Sequence, residues 1–230
     1  MFSVALIGPD GSGKTTIAHR LENSFPTRLK YLYMGVNPDA SNVTLPTTRI
    51  AQALKRLLKV QAEDAAQKLP SKGRSRGRLW STLRLLNRFA EETYRCALSW
   101  VYQKRGHIVV YDRYYKFDFA CEAVDLSALP LSERLHRMWL AKLYPYPDLI
   151  IFLEAPPEVL FARKREGTLE WLTERQQAIL REGKALSNFV RVDAARPLED
   201  VYLEVKQHVM GFRPSGLVAP HSPEAPHTRQ

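Results

Sequence analysis

Near its N-terminus the chain reads Gly8-Pro9-Asp10-Gly11-Ser12-Gly13-Lys14-Thr15-Thr16, in which Gly8, Gly13, Lys14 and Thr15 fit the spacing G-x-x-x-x-G-K-[ST]. Glycines let a backbone curl until its N–H groups converge on phosphate oxygens. Five of the six residues from Phe2 to Ile7 are apolar and suit a buried strand, while Ile17, Ala18 and Leu21 open a helix. The N-terminus of that helix adds partial positive charge at the point where the loop ends. On this pattern Lys14 reaches β- and γ-phosphates and the Thr15 hydroxyl joins the shell of a Mg²⁺ ion. Gly8, Asp10, Gly11, Ser12, Gly13, Lys14, Thr15 and Thr16 are therefore the candidate residues for a nucleoside triphosphate.

Two further groups could act on such a ligand. The apolar run His107-Ile108-Val109-Val110-Tyr111 predicts a strand that delivers Asp112 and Arg113 at its C-terminal edge. Asp112 suits either a ligand of Mg²⁺ or its water, or a general base for an acceptor oxygen. Arg113 suits a bidentate clamp on an anionic acceptor; the plainer alternative is a structural ion pair at a strand end. Arg163, Lys164, Arg165, Arg175 and Arg181 flank Gly167. Arginines that close over a γ-phosphate stabilise its developing charge and exclude water; the alternative is a solvated basic helix face. Tyr114, Tyr115, Phe117 and Phe119 could stack on an acceptor base or simply fill core.

The elements that must position these groups alternate. Strands are expected at Phe2–Ile7, Tyr31–Met34, 107–111, Leu149–Leu153 and Phe189–Val192. Helices are expected at about 13–23, over Ile50 to Gln61, at 79–104, at 130–143, from Pro156-Pro157 to a close at Gly167, at 170–185, and through Leu198, Val201, Val205 and Val209. In the helix at 79–104 the apolar face is read as Leu79, Leu83, Leu86, Ala90, Tyr94, Ala97 and Val101. In that at 130–143, Leu131, Leu135, Met138, Trp139 and Leu143 point inward. Lys68 to Arg78 reads as a mobile loop. Alternating strands and helices predict a parallel five-stranded α/β sheet with helices on both faces. Ligands then belong at the C-terminal strand edges, where Gly8 to Thr15, Asp112-Arg113 and Glu154 lie.

At 230 residues the chain accommodates one such domain, read as residues 1–213, with a Pro-rich disordered tail at 214–230. No apolar run approaches the roughly 18–20 residues of a membrane span, and the short apolar N-terminus is not a signal peptide. Cys96 and Cys121 suggest neither a disulfide framework nor a metal site, which points to a reducing cytoplasm. The net charge of +10 is localised: residues 49–88 hold eleven Lys/Arg against Glu63 and Asp64. Such a segment suits contact with anionic lipid or nucleic acid, although a core-packing helix with a solvated basic face is the favoured reading.

The phosphate loop with Asp10, the edge Asp112-Arg113-Tyr114, the run from Pro147 to Glu158, the arginine-rich segment after it and Val192 to Glu199 together resemble the thymidylate kinase family, over about residues 2–23 and 106–212. The resemblance implies a three-layer P-loop NTPase fold of nucleoside monophosphate kinase type, with ATP and Mg²⁺. It implies Lys14, Thr15 and Arg113 on phosphates, Asp10 near an acceptor sugar, Asp112 near metal and acceptor, and Arg163, Arg165 or Arg175 in a lid spanning 163–182. Family members often dimerise, and the helix at 79–104 could supply that face. Thymidylate kinases carry Arg-Glu-Pro-Gly-Gly after the second strand; here the stretch reads Tyr33-Met34-Gly35-Val36-Asn37-Pro38-Asp39. The expected activity is thus γ-phosphoryl transfer to a small acceptor. That acceptor is a nucleoside monophosphate such as dTMP, or alternatively a sugar or lipid-linked phosphate; an NTPase switch that binds a partner is the remaining reading.

Overall fold

The three central strands of the sheet are buried on both sides because both faces are covered. A computed structural model describes residues 1–35, 74–122 and 126–213, with the side chains of 74–84 and 126 outside that description. Strand β1 (Ser3–Ile7) is buried at every residue. It pairs in parallel with β3 (Ile108–Asp112) on one side and β4 (Leu149–Glu154) on the other. Strands β2 (Leu29–Tyr33) and β5 (Phe189–Asp193) complete a parallel sheet in the order β2-β3-β1-β4-β5. The five-stranded α/β fold expected from the sequence is present.

Alternation along each strand divides the core in two. Val4 and Leu6 of β1 pack with Ile17, Ala18 and Leu21 of α1 (Lys14–Ser24) and with Val201, Val205 and Val209 of α7 (Leu198–Gly211). Ala5 and Ile7 face the other layer, built from α2 (Arg74–Lys104), α3 (Tyr115–Ala120), α4 (Leu131–Leu143) and α6 (Leu169–Lys184). The short α5 (Pro157–Lys164) begins with Pro157 at its first position, where a missing N–H costs nothing.

Four expectations are corrected. Helix α2 starts at Arg74, so 74–78 are helical and not loop. Its inward face is not Leu86, Ala90 and Ala97, which are exposed, but Glu92, Arg95, Cys96 and Ser99. In α4 the expected inward residues Leu131, Leu135, Met138 and Trp139 are 69%, 47%, 56% and 42% exposed, and His136 and Leu140 are buried instead. The cause is a polar seam: His136 Nε2 lies 2.6 Å from Glu92 Oε1, Arg88 contacts Glu92 and Glu133, and Ser99 Oγ meets the Tyr111 hydroxyl at 2.6 Å. Mutually bonded polar groups can occupy an interior that periodicity alone assigns to leucines. Helix α5 ends at Arg165, in the left-handed region at φ 52°, rather than at Gly167. The expected loop at 36–48, the basic helix at 50–61, residues 68–73 and the tail at 214–230 lie outside the described residues.

Candidate active site at the central strand edges

The loop between β1 and α1 can hold its shape because Gly8 sits at φ 150°, where a Cβ would lie 2.6 Å from the Leu153 carbonyl oxygen and 2.7 Å from Ser12 Oγ. At Gly11 a Cβ would come within 2.9 Å of the Leu160 carbonyl, so α5 presses directly on the loop. Helix α1 begins at Gly13 without a side-chain cap, leaving its first N–H groups for an anion. Lys14 is buried, and its ammonium donates to the Pro9 carbonyl at 2.7 Å and to Ser12 Oγ at 3.4 Å. Burial, with Arg113 nearby, pulls the Lys14 pKa down to about 8. Thr15 and Thr16 are exposed in the first turn of α1.

The parallel register puts the end of β3 beside this loop. Thr15 Oγ1 donates to Asp112 Oδ2 at 2.5 Å, and the Tyr31 hydroxyl donates to the same oxygen at 3.1 Å. Asp112 is 1% exposed, and its other oxygen, Oδ1, is buried with no partner among the described residues. Next to it Arg113 adopts φ 72°, an unusual conformation for a side chain larger than glycine. Its guanidinium reaches back across the phosphate loop to Asp10 Oδ1 at 2.5 Å. Burial alone would raise the Asp10 pKa; Arg113, Lys14 and Lys164 outweigh it and hold the carboxyl below its usual range.

Arg175 of α6 arrives from the other side. It donates to Asp118 Oδ1 at 3.0 Å, while Arg113 lies 3.8 Å from the same oxygen. Burial raises the Asp118 pKa despite both arginines, and Asp118 Oδ2 has no partner among the described residues. Lys164, one of the basic residues expected around Gly167, lies 4.0 Å from Asp10 and joins this cluster; Asp118 belongs to it too and was not singled out in the sequence. Asp118 lies six residues after Asp112, in a helix of one and a half turns whose other residues are mostly aromatic, and no pattern marks it.

The remaining candidates separate. Arg163 turns away, donating to the carbonyls of Ala194 and Ala195 at 2.8 and 3.4 Å. Arg165 is exposed at the end of α5. Glu154 accepts from Arg191 at 2.7 and 2.8 Å, on the β4–β5 side. Tyr114 and Phe117 are buried in the core, so the stacking role considered for them is withdrawn. Phe119 is instead covered by Arg137, with the guanidinium carbon 4.2 Å from the ring centroid. Arg95 of α2 is fully buried and donates to the carbonyls of Tyr33 and Gly35 at the end of β2.

The donor set fits a Mg–nucleotide. A hydroxyl and a carboxylate with a free buried oxygen adjoin a positive-φ loop, and among the described residues no cluster of three His, Cys, Asp or Glu competes for a metal. Magnesium characteristically takes only one or two protein ligands, with phosphate and water completing its shell. A parallel sheet ending in this loop, this lysine and this threonine–aspartate contact defines a P-loop nucleotide-binding protein of the kinase-like α/β class. The profile of the family described as Thymidylate kinase matches residues 7–205. The chain belongs to the thymidylate kinase family. It is 33% identical over 114 residues to a protein of Archaeoglobus fulgidus named as a probable thymidylate kinase; the match covers 46% of this chain and 55%, about half, of that relative.

Proposed function

We propose that the protein is an ATP- and Mg²⁺-dependent phosphotransferase that moves a γ-phosphoryl group to a small acceptor, with a nucleoside monophosphate such as dTMP as the leading candidate. The observation that carries this reading is the 2.5 Å contact between Thr15 and Asp112, with Asp112 Oδ1 unpartnered beside the phosphate loop. Thr15 and Asp112 would hold Mg²⁺, which supplies neutralisation of charge on the phosphate oxygens when bound. Because Asp112 already accepts from Thr15 and Tyr31, the metal role suits it better than proton abstraction. Lys14 would exchange its bond to Pro9 for phosphate oxygens, and the first N–H groups of α1 would add theirs. Arg113 and Arg175, converging on Asp118, supply cations for an anionic acceptor. The acceptor oxygen bonds to the γ-phosphorus as the bond to the bridging oxygen breaks, and ADP departs. Arg163 and Arg165 would join only if the segment after α5 closes over the phosphates.

A non-nucleotide phosphate acceptor is the second reading, and one observation favours it. Arg95, the arginine of α2 bonded to the end of β2, is spent on the Tyr33 and Gly35 carbonyls. The stretch 33–39 offers no other arginine. A reducing, cytoplasmic setting belongs to the same proposal, with both cysteines free. ADP release measured over a panel of nucleoside monophosphates, sugars and sugar phosphates tests both readings. One acceptor should raise turnover well above the water background, and Lys14→Ala should reduce it on the order of 10²–10³-fold. Turnover at the water background with every acceptor overturns the proposal.

A further inference from the structure

The contact between Arg175 and Asp118 is incomplete on both sides. Arginine–carboxylate pairs commonly close as a two-bond fork, yet here Arg175 and Arg113 converge on one oxygen, Asp118 Oδ1, at 3.0 and 3.8 Å. Asp118 Oδ2 and Arg175 Nε are both buried and have no hydrogen-bond partner among the described residues. The Arg175 guanidinium carbon lies 5.3 Å from the Trp171 ring centroid, a contact that gives Nε no acceptor. Buried polar groups are ordinarily bonded, so an orphaned donor and an orphaned acceptor within one ion pair call for a function.

The surroundings show what would complete the pair. Positive charge from Arg113, Arg175 and Lys14 acts on the Asp118 carboxyl, and Arg113 is bonded on its other side to Asp10. The two arginines are thus matched by two carboxylates, and an anion that reaches them meets Asp118 already in place. The space enclosed by Gly8, Arg113, Asp118 and Arg175, over Phe117 and Ile179, is about 10 Å³, room for about one water. A phosphate cannot enter beside Asp118 and must take its place. The exchange improves the bonding of the arginines. A phosphate monoester brings about two negative charges and three acceptor oxygens, enough to occupy Arg175 Nε and Nη2 together and Arg113 as well. A carboxylic acid offers nothing that Asp118 lacks, and an uncharged hydroxyl leaves the pair closed.

We propose that Asp118 is a resident anion that occupies the acceptor-phosphate position on Arg113 and Arg175, and that it sets acceptor specificity: a phosphate dianion exchanges with it, whereas a carboxylate or an uncharged acceptor does not. This rests on the phosphotransferase reading and deepens it. The test is isothermal titration calorimetry of the full chain with inorganic phosphate, after AMP-PNP and Mg²⁺ have saturated the phosphate loop. Wild type should prefer phosphate to acetate at least about tenfold, and Asp118→Asn should bind phosphate on the order of tenfold more tightly than wild type. In the Arg175→Met background the same change should gain less than about twofold, which separates exchange at the arginine from a general loss of negative charge. Circular dichroism checks folding. If Asp118→Asn does not fold, Asp118→Ser takes its place with the same expectation, and failure of both to fold overturns the proposal, because a resident anion is dispensable to the fold. Unchanged or weaker phosphate binding in the variant, an equal gain in the Arg175→Met background, or wild-type binding of acetate as tight as that of phosphate overturns the exchange and leaves the phosphotransferase reading standing. Failure of AMP-PNP to bind with Mg²⁺ removes the phosphotransferase reading, and the exchange with it.

Discussion

Lys14 is the residue on which ligand binding and protein stability meet. Its pKa of about 8, against the ordinary 10.5, means that the unfolded chain holds the extra proton through the window between those values. Stability of the ligand-free protein therefore rises with pH across that window, and below about pH 8 the full cost of the buried ammonium is present. In the proposed nucleotide site the ammonium meets the phosphates, so affinity should fall as pH rises through about 8, as titration calorimetry across that range would show. Lys14→Met should abolish tight binding and also stabilise the ligand-free protein at neutral pH. The expected gain is roughly 2–4 °C in Tm for each kcal/mol relieved. A variant that binds weakly and melts higher separates a functional charge from a structural one. The sequence motif identified this lysine; the cost of its position became visible only with its burial and with Arg113 nearby.

At the scale of elements, α4 shows why the strands were legible and the long helices were not. A strand buried on both faces needs no choice of side, and all five appear within about two residues of where apolar runs place them. A helix must be oriented, and the rule that its apolar stripe faces inward assumes a partner of the same kind. In α4 the partner is α2, whose inner face carries Glu92 and Arg95, so His136 turns in and Met138 and Trp139 turn out. The same limit applies to the site. Gly8 to Thr15 and Asp112-Arg113 were readable because spacing and strand ends determine them, whereas Asp118 reaches Arg175 across fifty-seven residues of sequence. The seam has a measurable weight. Glu92→Ala leaves buried His136 without its partner and should cost on the order of 3–5 kcal/mol in denaturant unfolding, while the double change Glu92→Leu with His136→Leu should cost much less. Leu135→Ser, on the exposed side, should change stability by no more than about 0.5 kcal/mol.

For the molecule as a whole, the layer of α1 and α7 closes the sheet and ties its ends together. The Phe2 and Phe212 rings pack in a tilted arrangement at 5.0 Å between centroids, and Val201, Tyr202, Val205 and Val209 fill the core beneath β1. Removing residues from Leu198 onward should therefore abolish cooperative thermal unfolding and leave a species that binds hydrophobic dyes, whereas removal of 214–230 alone should leave the transition in place. The alternation of strands and helices predicted the three layers correctly. The strand order β2-β3-β1-β4-β5 emerged only from the pairing itself.

That order has a consequence for synthesis. The central strand is the first one made, yet its two neighbours end at Asp112 and Glu154. At about 5–20 residues per second, a ribosome takes roughly 7–30 s to supply both after β1 has been translated. Through that interval β1, apolar at four of its five residues, keeps a hydrogen-bonding edge open: both edges until β3 follows, and the β4 edge until the end. The nascent chain carrying Ser3 to Ile7 should be a chaperone client until β4 emerges, and release of bound chaperone from arrested chains should follow the exit of Glu154 from the tunnel rather than that of Asp112.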